Sequence, residues 1–101
     1  MNIAEITARL KDNGVEIAPH TLRRRIDTYL VYPSRNHRNN RRDLDKTEFN
    51  RLLIGLAIES KGKSQEDVVM LLDGKIAKTE LMGLVIDSNK VDMILRKWIE
   101  E

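Results

Sequence analysis

Seven arginines fall within the twenty-three residues from His20 to Arg42: Arg23, Arg24, Arg25, Arg35, Arg38, Arg41 and Arg42, against one acid, Asp27. A guanidinium is a planar fork of donors that can take a phosphate, or the O6 and N7 edge of guanine, in bidentate fashion. From Asp43 onward the balance reverses, with nine basic residues against twelve acids, so a net charge of only +2 hides a strongly placed positive segment. Placed arginine of this density is the electrostatic footprint of a polyanion binder, and duplex DNA is the expected partner. Within the segment, RNHRNNRR (35–42) holds four arginines, three asparagines and a histidine, with neither an acid nor an apolar residue. The candidate DNA-contacting residues are His20, Thr21, Arg23, Arg24 and Arg25, followed by Arg35, Arg38, Asn39, Arg41 and Arg42. Arg24 or His20 is expected at base edges and Arg23 at a phosphate. The later arginines are expected along the flanking backbone or the minor groove, since phosphate contacts carry affinity and base contacts carry specificity.

Other chemistries find little material. There are no cysteines, which removes disulfides, thiolate metal sites and thiol redox together. Two histidines, His20 and His37, without cysteine or a paired carboxylate make a poor metal site. Ser34, Ser60, Ser64 and Ser88 have no histidine at a suggestive spacing, and there is no Gly-rich phosphate loop. Asp43 and Asp45 read as a loop end and a helix cap. No catalytic residue, metal or cofactor is therefore expected, and the chain is read as a binding protein, not an enzyme. The longest apolar run, Leu52 to Ile58, is interrupted by Gly55 and is far short of the ~20 residues of a membrane span. The start, MNIAEITARL, has no apolar core of a signal peptide, so a cytoplasmic, nucleoid-associated location is expected.

The arginines need a scaffold, and the apolar spacing predicts one. Ile3, Ile6 and Leu10 form a helical stripe that stops at Asn13-Gly14. Pro19 marks the first turn of a second helix, in which Leu22, Ile26 and Tyr29 or Leu30 face inward, while His20, Arg23, Arg24 and Asp27 face outward and Arg25 is partly outward. Pro33 biases Tyr32 toward extended backbone. The asparagine-rich run then suits the bend of a β-hairpin, whose return strand passes through Arg41 to Leu44. Asp45 with Glu48 predicts a capping box before Phe49, Leu52, Leu53, Leu56 and Ala57, and Lys61-Gly62 ends that helix. Ser64 caps a further helix ending at Gly74. A short helical piece is expected around Thr79 to Ile86. A last helix, Ser88 to Glu100, carries Val91, Ile94, Leu95 and Trp98 on one stripe. Helix, turn, helix, hairpin and further helices describe a mostly α, winged helix-turn-helix fold.

The residues also resemble the DNA-binding domain of the MerR family of bacterial regulators. TLRRRIDTYLVYPSRN, RRDLDKTEFNRL and KGKSQEDVVMLL follow the family's recognition helix, wing and next two helices in order. Thr21, Leu22, Arg23, Leu30, Pro33, Arg35, Arg42, Glu48, Arg51, Leu52, Gly62, Ser64, Glu66, Asp67, Val68, Leu71 and Leu72 are the matching positions. Arg24 and Arg25 stand where the family has two tyrosines, and Arg41 and Leu44 where it has the pair flanking the wing arginine. The resemblance implies a DNA-binding domain over 1–74 with the recognition helix at about 19–30 and a basic wing at 33–44. Residues 75–101 are expected to complete the core or to dimerise, Val91, Ile94, Leu95 and Trp98 being the candidate homodimer contacts. With so short a segment after Gly74, no small-molecule effector is expected; a small bacterial or phage regulator of transcription is. The alternatives are an architectural or mobile-element accessory protein of the same fold, or an adaptor that uses the fold for protein contact.

Overall fold

Four of the helices begin where a short polar side chain can take up a free backbone N–H. In the computed structural model, which describes residues 1–30 and 43–101, Asn2 caps α1 (Ile3–Asp12) by accepting from the Glu5 amide. Asp45 opens α3 (Lys46–Ser60) with a full capping box: its carboxylate accepts from the Glu48 amide at 2.8 Å while the Glu48 carboxylate accepts from the Asp45 amide at 3.0 Å. Ser64 and Asn89 cap α4 (Gln65–Leu72) and α5 (Lys90–Glu100) by accepting from the Asp67 and Asp92 amides. Each such cap contributes about 1 kcal/mol. The remaining α-helix, α2 (Pro19–Tyr29), starts at a proline, which has no N–H to satisfy, and has no side-chain cap. A 3₁₀ helix, Lys78–Leu84, joins α4 to α5.

The centre of the fold is α3. Phe49, Leu52, Leu53, Gly55, Leu56, Ala57 and Ile58 are all buried, covering nearly the whole circumference, and a helix apolar all round must be surrounded. It packs against α2, α4 and α5, while α1 lies on α2. Ile6 and Leu10 of α1, Leu22, Ile26 and Tyr29 of α2, Val68 and Leu71 of α4, Leu81 and Val85 around the 3₁₀ helix and Leu95 of α5 join one buried cluster. Only four residues, 61–64, link α3 to α4, and Gly62 with φ +94° supplies the left-handed backbone that so tight a reversal needs.

Polar contacts lock these layers. Asp92, wholly enclosed, accepts from the Lys61 ammonium at 2.8 Å and from the Asp87 amide at 2.7 Å, tying α5 to the end of α3. The Lys61 bond above all, with the Asp87 amide, holds the Asp92 carboxyl below its usual range in spite of burial. Arg51 of α3 donates to the Tyr29 carbonyl at 2.7 Å, to the Leu72 carbonyl at 3.3 Å and to the Asp73 carboxylate at 2.7 Å. One guanidinium thus meets the negative ends of two helices, α2 and α4. Lys78 lies 4.6 Å from the centre of the Trp98 ring and donates to the Trp98 carbonyl.

The structure corrects the expected fold class. Among the described residues there are five α-helices and the 3₁₀ helix and no strand, so the winged helix-turn-helix with its β-hairpin gives way to a helical fold. Residues 31–42, most of the expected hairpin, lie outside the described residues. Its last residue, Leu44, is described, and its backbone is already committed. The Leu44 amide donates to the Met1 carbonyl at 2.9 Å, and the Met1 nitrogen donates to the Leu44 carbonyl at 2.8 Å. With its side chain buried in the core and its main-chain groups paired to Met1, Leu44 cannot also serve a hairpin ladder.

The contact of α2 with α3 is close enough to test by one methyl group. A Cβ built on Gly55 would lie 2.9 Å from Cδ2 of Tyr29 and 3.3 Å from Cδ1 of Leu72. Alanine gains up to about 1 kcal/mol of helix propensity over glycine, whereas overpacking costs typically 1–3 kcal/mol. Gly55→Ala should therefore destabilise the protein by about 1 kcal/mol in urea unfolding, against the sign expected of an open helical position.

Candidate nucleic-acid interface

The 3.6-residue period divides α2 cleanly. Leu22, Ile26 and Tyr29 are buried, and His20, Arg23, Arg24, Asp27 and Thr28 are exposed. His20, Arg23 and Arg24 form no side-chain hydrogen bond or ion pair with any described residue, so three exposed polar heads stand on the first turns after Pro19. Of the expected contact residues on α2, these three are the ones brought to a common open face. Asp27 and Thr28 continue it, the Thr28 hydroxyl donating back to the Arg24 carbonyl at 2.9 Å.

Thr21 and Arg25 are placed differently. Thr21 is half-buried and lines a hollow with Val15, Ile17, Arg25, Glu59 and Ser60. Arg25 turns inward to α3, where its Nε and Nη2 donate to the two oxygens of Glu59 at 2.8 and 2.9 Å. The Tyr29 hydroxyl donates to the same carboxylate, so Glu59 accepts from two residues one helical turn apart on α2. Burial acts to raise the Glu59 carboxyl, but the hydrogen bonds from Arg25 and Tyr29 and the Arg25 charge outweigh it and hold the group below the usual glutamate range. The hydrogen bond to Glu59 raises Arg25 in turn, and burial together with the Glu59 bond raises Tyr29 above the ordinary phenol. Arg25 therefore belongs to the mount of the helix and not to its open face. Arg35, Arg38, Asn39, Arg41 and Arg42 lie outside the described residues; the segment that holds them leaves from Leu30 and returns at Leu44, both buried.

The stripe expected to complete the core or to dimerise packs on the core of its own chain. Leu95 is wholly enclosed and has no surface to offer, while Val91, Ile94 and Trp98 are half-buried and packed on the core. Ile94 and Trp98, with Leu53, Ile54 and Leu72, form the floor of a groove between α3 and α5 that Arg51 and Lys97 border. The sequence assigns no orienting role to Glu59, Arg51, Lys61 or Asp92, whose contacts tie the helices together. Their side-chain partners are 22 to 34 positions away along the chain, beyond the reach of any local pattern. Among the described residues no group of three His, Cys, Asp or Glu could hold a metal ion, and no helix is long and apolar enough to cross a membrane.

Because the Glu59 carboxyl is lowered in the folded state, its contribution to stability is present above the ordinary glutamate pKa. It fades as pH falls through the lowered folded value. Glu59→Gln should cost about 2 kcal/mol near pH 7, the range for hydrogen bonds to a charged group. Its urea midpoint should fall less than wild type between about pH 5 and pH 3, the span in which carboxylates titrate. Parallel acid limbs for the two proteins would show that the Arg25–Glu59–Tyr29 contact does not couple α2 to protonation. A comparison of the chain with protein-family models, curated proteins and solved structures finds no match in any of the three.

Proposed function

We propose that this protein binds double-stranded DNA through the outward face of α2, as a regulator of transcription or a DNA-organising protein without enzymatic activity. The observation that carries the reading is the set of exposed residues His20, Arg23 and Arg24, which no acid among the described residues engages, on a helix held at its inner face. An α-helix fits the major groove of B-DNA, and the first turns of such a helix are the part that reaches base edges. Arg24 and His20 are assigned to base edges and Arg23 to a phosphate. Arg25 is assigned to positioning, because its guanidinium is taken up by Glu59. The charge of the neighbouring segment supports the same reading, since four further arginines follow within residues 35–42. So does the likeness of Thr21, Leu22 and Arg23 to the MerR recognition helix, although the proposal stands on charge and exposure without it. The exposed residues at the start of α4, Gln65 and Glu66, carry no positive charge, which leaves α2 the better helix to face a polyanion.

Fluorescence anisotropy on duplex DNA at several salt concentrations tests the proposal. Wild type should show a steep fall of affinity with salt. Arg23→Ala should weaken binding to all sequences alike and reduce the logarithmic salt slope by about one unit. Arg24→Ala should weaken a selected site more than random duplex, by about 1–3 kcal/mol if it reads a base. Arg25→Ala should instead lower thermal stability while leaving the slope nearly unchanged. An Arg23→Ala/Arg24→Ala double variant with unaltered affinity and slope would sink the assignment of α2. Negligible affinity of wild type for any duplex would point to an acidic protein partner for the same arginines.

A further inference from the structure

The groove between α3 and α5 holds about 410 Å³ of space, within the range of roughly 300–1,000 Å³ that small-molecule sites occupy. Its floor is apolar: Leu53 is buried, and Ile54, Leu72, Ile94 and Trp98 are half-buried. None of the large apolar side chains that stand exposed among the described residues, Met70, Met82, Ile86 and Met93, lines it. The apolar surface here is thus recessed, shaped to receive an inserted group and not to lie flat against a protein. The Trp98 wall is steadied by Lys78, which does not line the groove: its ammonium lies 4.6 Å from the ring centre and donates to the Trp98 carbonyl at 3.1 Å.

Asn50, Arg51, Lys97 and Glu101 complete the lining as a polar rim. Three of the five N–H groups of Arg51 go to the Tyr29 and Leu72 carbonyls and the Asp73 carboxylate, which fixes the guanidinium and leaves two donors. Lys97 is exposed and forms no hydrogen bond or ion pair with a described residue, Glu101 included. Asp73, the partner of Arg51, does not line the groove, so two cations and one acid border the apolar floor.

We infer that this groove binds a small amphiphilic carboxylate, with its apolar body on the Trp98 floor and its anionic head at Lys97 and Arg51. An ammonium and a guanidinium carry donors and no acceptor, so they match a carboxylate, which carries acceptors and no donor. An apolar lining with a few placed polar groups is how small-molecule sites combine affinity with orientation. A protein partner would need roughly 800 Å² of surface on this side, whereas the apolar floor stops at a polar rim. A groove between two helices of the core needs no separate effector domain. The inference does not depend on DNA binding.

Trp98 is the only tryptophan of the chain, so its emission reports on the groove directly. Decanoate titrated into the protein should shift that emission saturably, with one molecule bound per chain. Decyltrimethylammonium, of the same chain length and opposite charge, should bind at least about tenfold more weakly, as loss of a charge-assisted hydrogen bond implies. Acetate, which has the head without the body, should not compete. Lys97→Gln, at an exposed position outside the core, should weaken decanoate at least about fivefold and leave the cationic amphiphile no weaker. Lys63→Gln, equally exposed but away from the lining, should change nothing. Far-UV circular dichroism shows that both variants are folded. No saturable shift with decanoate overturns the proposal and leaves the recess to a side chain of a polypeptide partner. So does equal affinity for the two amphiphiles, or a decanoate affinity that Lys97→Gln leaves unaltered or that Lys63→Gln lowers as much.

Discussion

The orientation of α2 rests on Tyr29. Its ring lies against Gly55, where even a methyl group would collide, its hydroxyl donates to Glu59, and its carbonyl accepts from Arg51. Three different interactions, dispersion, a charged hydrogen bond and a helix-end contact, thus converge on α3 from one residue. Arg25 adds a bidentate pair one turn earlier. The outward residues of α2 inherit their direction from this mount, because side chains on a helix have fixed angular relations to one another. A helix that is to present arginines to a ligand benefits from being held on its other side, since each rigid donor then loses less freedom on binding.

Most of the helical framework was legible because its determinants are short in range. The Asp45–Glu48 capping box, the Ser64 cap, Pro19 at the first turn and the glycines at 62 and 74 act over at most four residues, and the structure has all of them where the local chemistry requires. The last helix opens at Asn89 and not at Ser88, a difference of one position between two residues that cap equally well. The piece expected around Thr79 to Ile86 forms as a 3₁₀ helix, Lys78–Leu84. The hairpin is the failure, and Leu44 shows why. Asparagines favour a bend but do not choose a strand's partner; Leu44 finds its partner in Met1, 43 residues away, and no local signal announces that.

The candidate site was legible to the same extent. Periodicity separates Leu22 and Ile26 from Arg23 and Arg24, and both pairs face as it requires. It does not distinguish Arg25, whose angular position is intermediate and whose fate is decided by Glu59, 34 residues on. The stripe of α5 carries a second lesson. Val91, Ile94, Leu95 and Trp98 do lie on one face, but a stripe records only that something covers it, and here α3 within the same chain is a large part of the cover. Asp92, a charged residue among them, is wholly buried because Lys61 and the Asp87 amide meet it there. A buried charge is tolerable only with partners of this kind, and partners are invisible to a hydropathy pattern.

One contact reaches across almost the whole chain. The Lys90 ammonium donates to the Asp12 carbonyl at 2.8 Å over a separation of 78 residues, setting a cation at the negative end of α1. Gly14, just beyond that end, has the Lys90 and Val91 side chains as its nearest neighbours. Closing a loop grows more costly only as the logarithm of its length, so the distance in sequence adds little to the thermodynamic burden. It does join the two ends energetically. Fraying of the first turn of α5 withdraws a hydrogen bond from the last turn of α1, so two stretches with no sequence relation share one exposed contact.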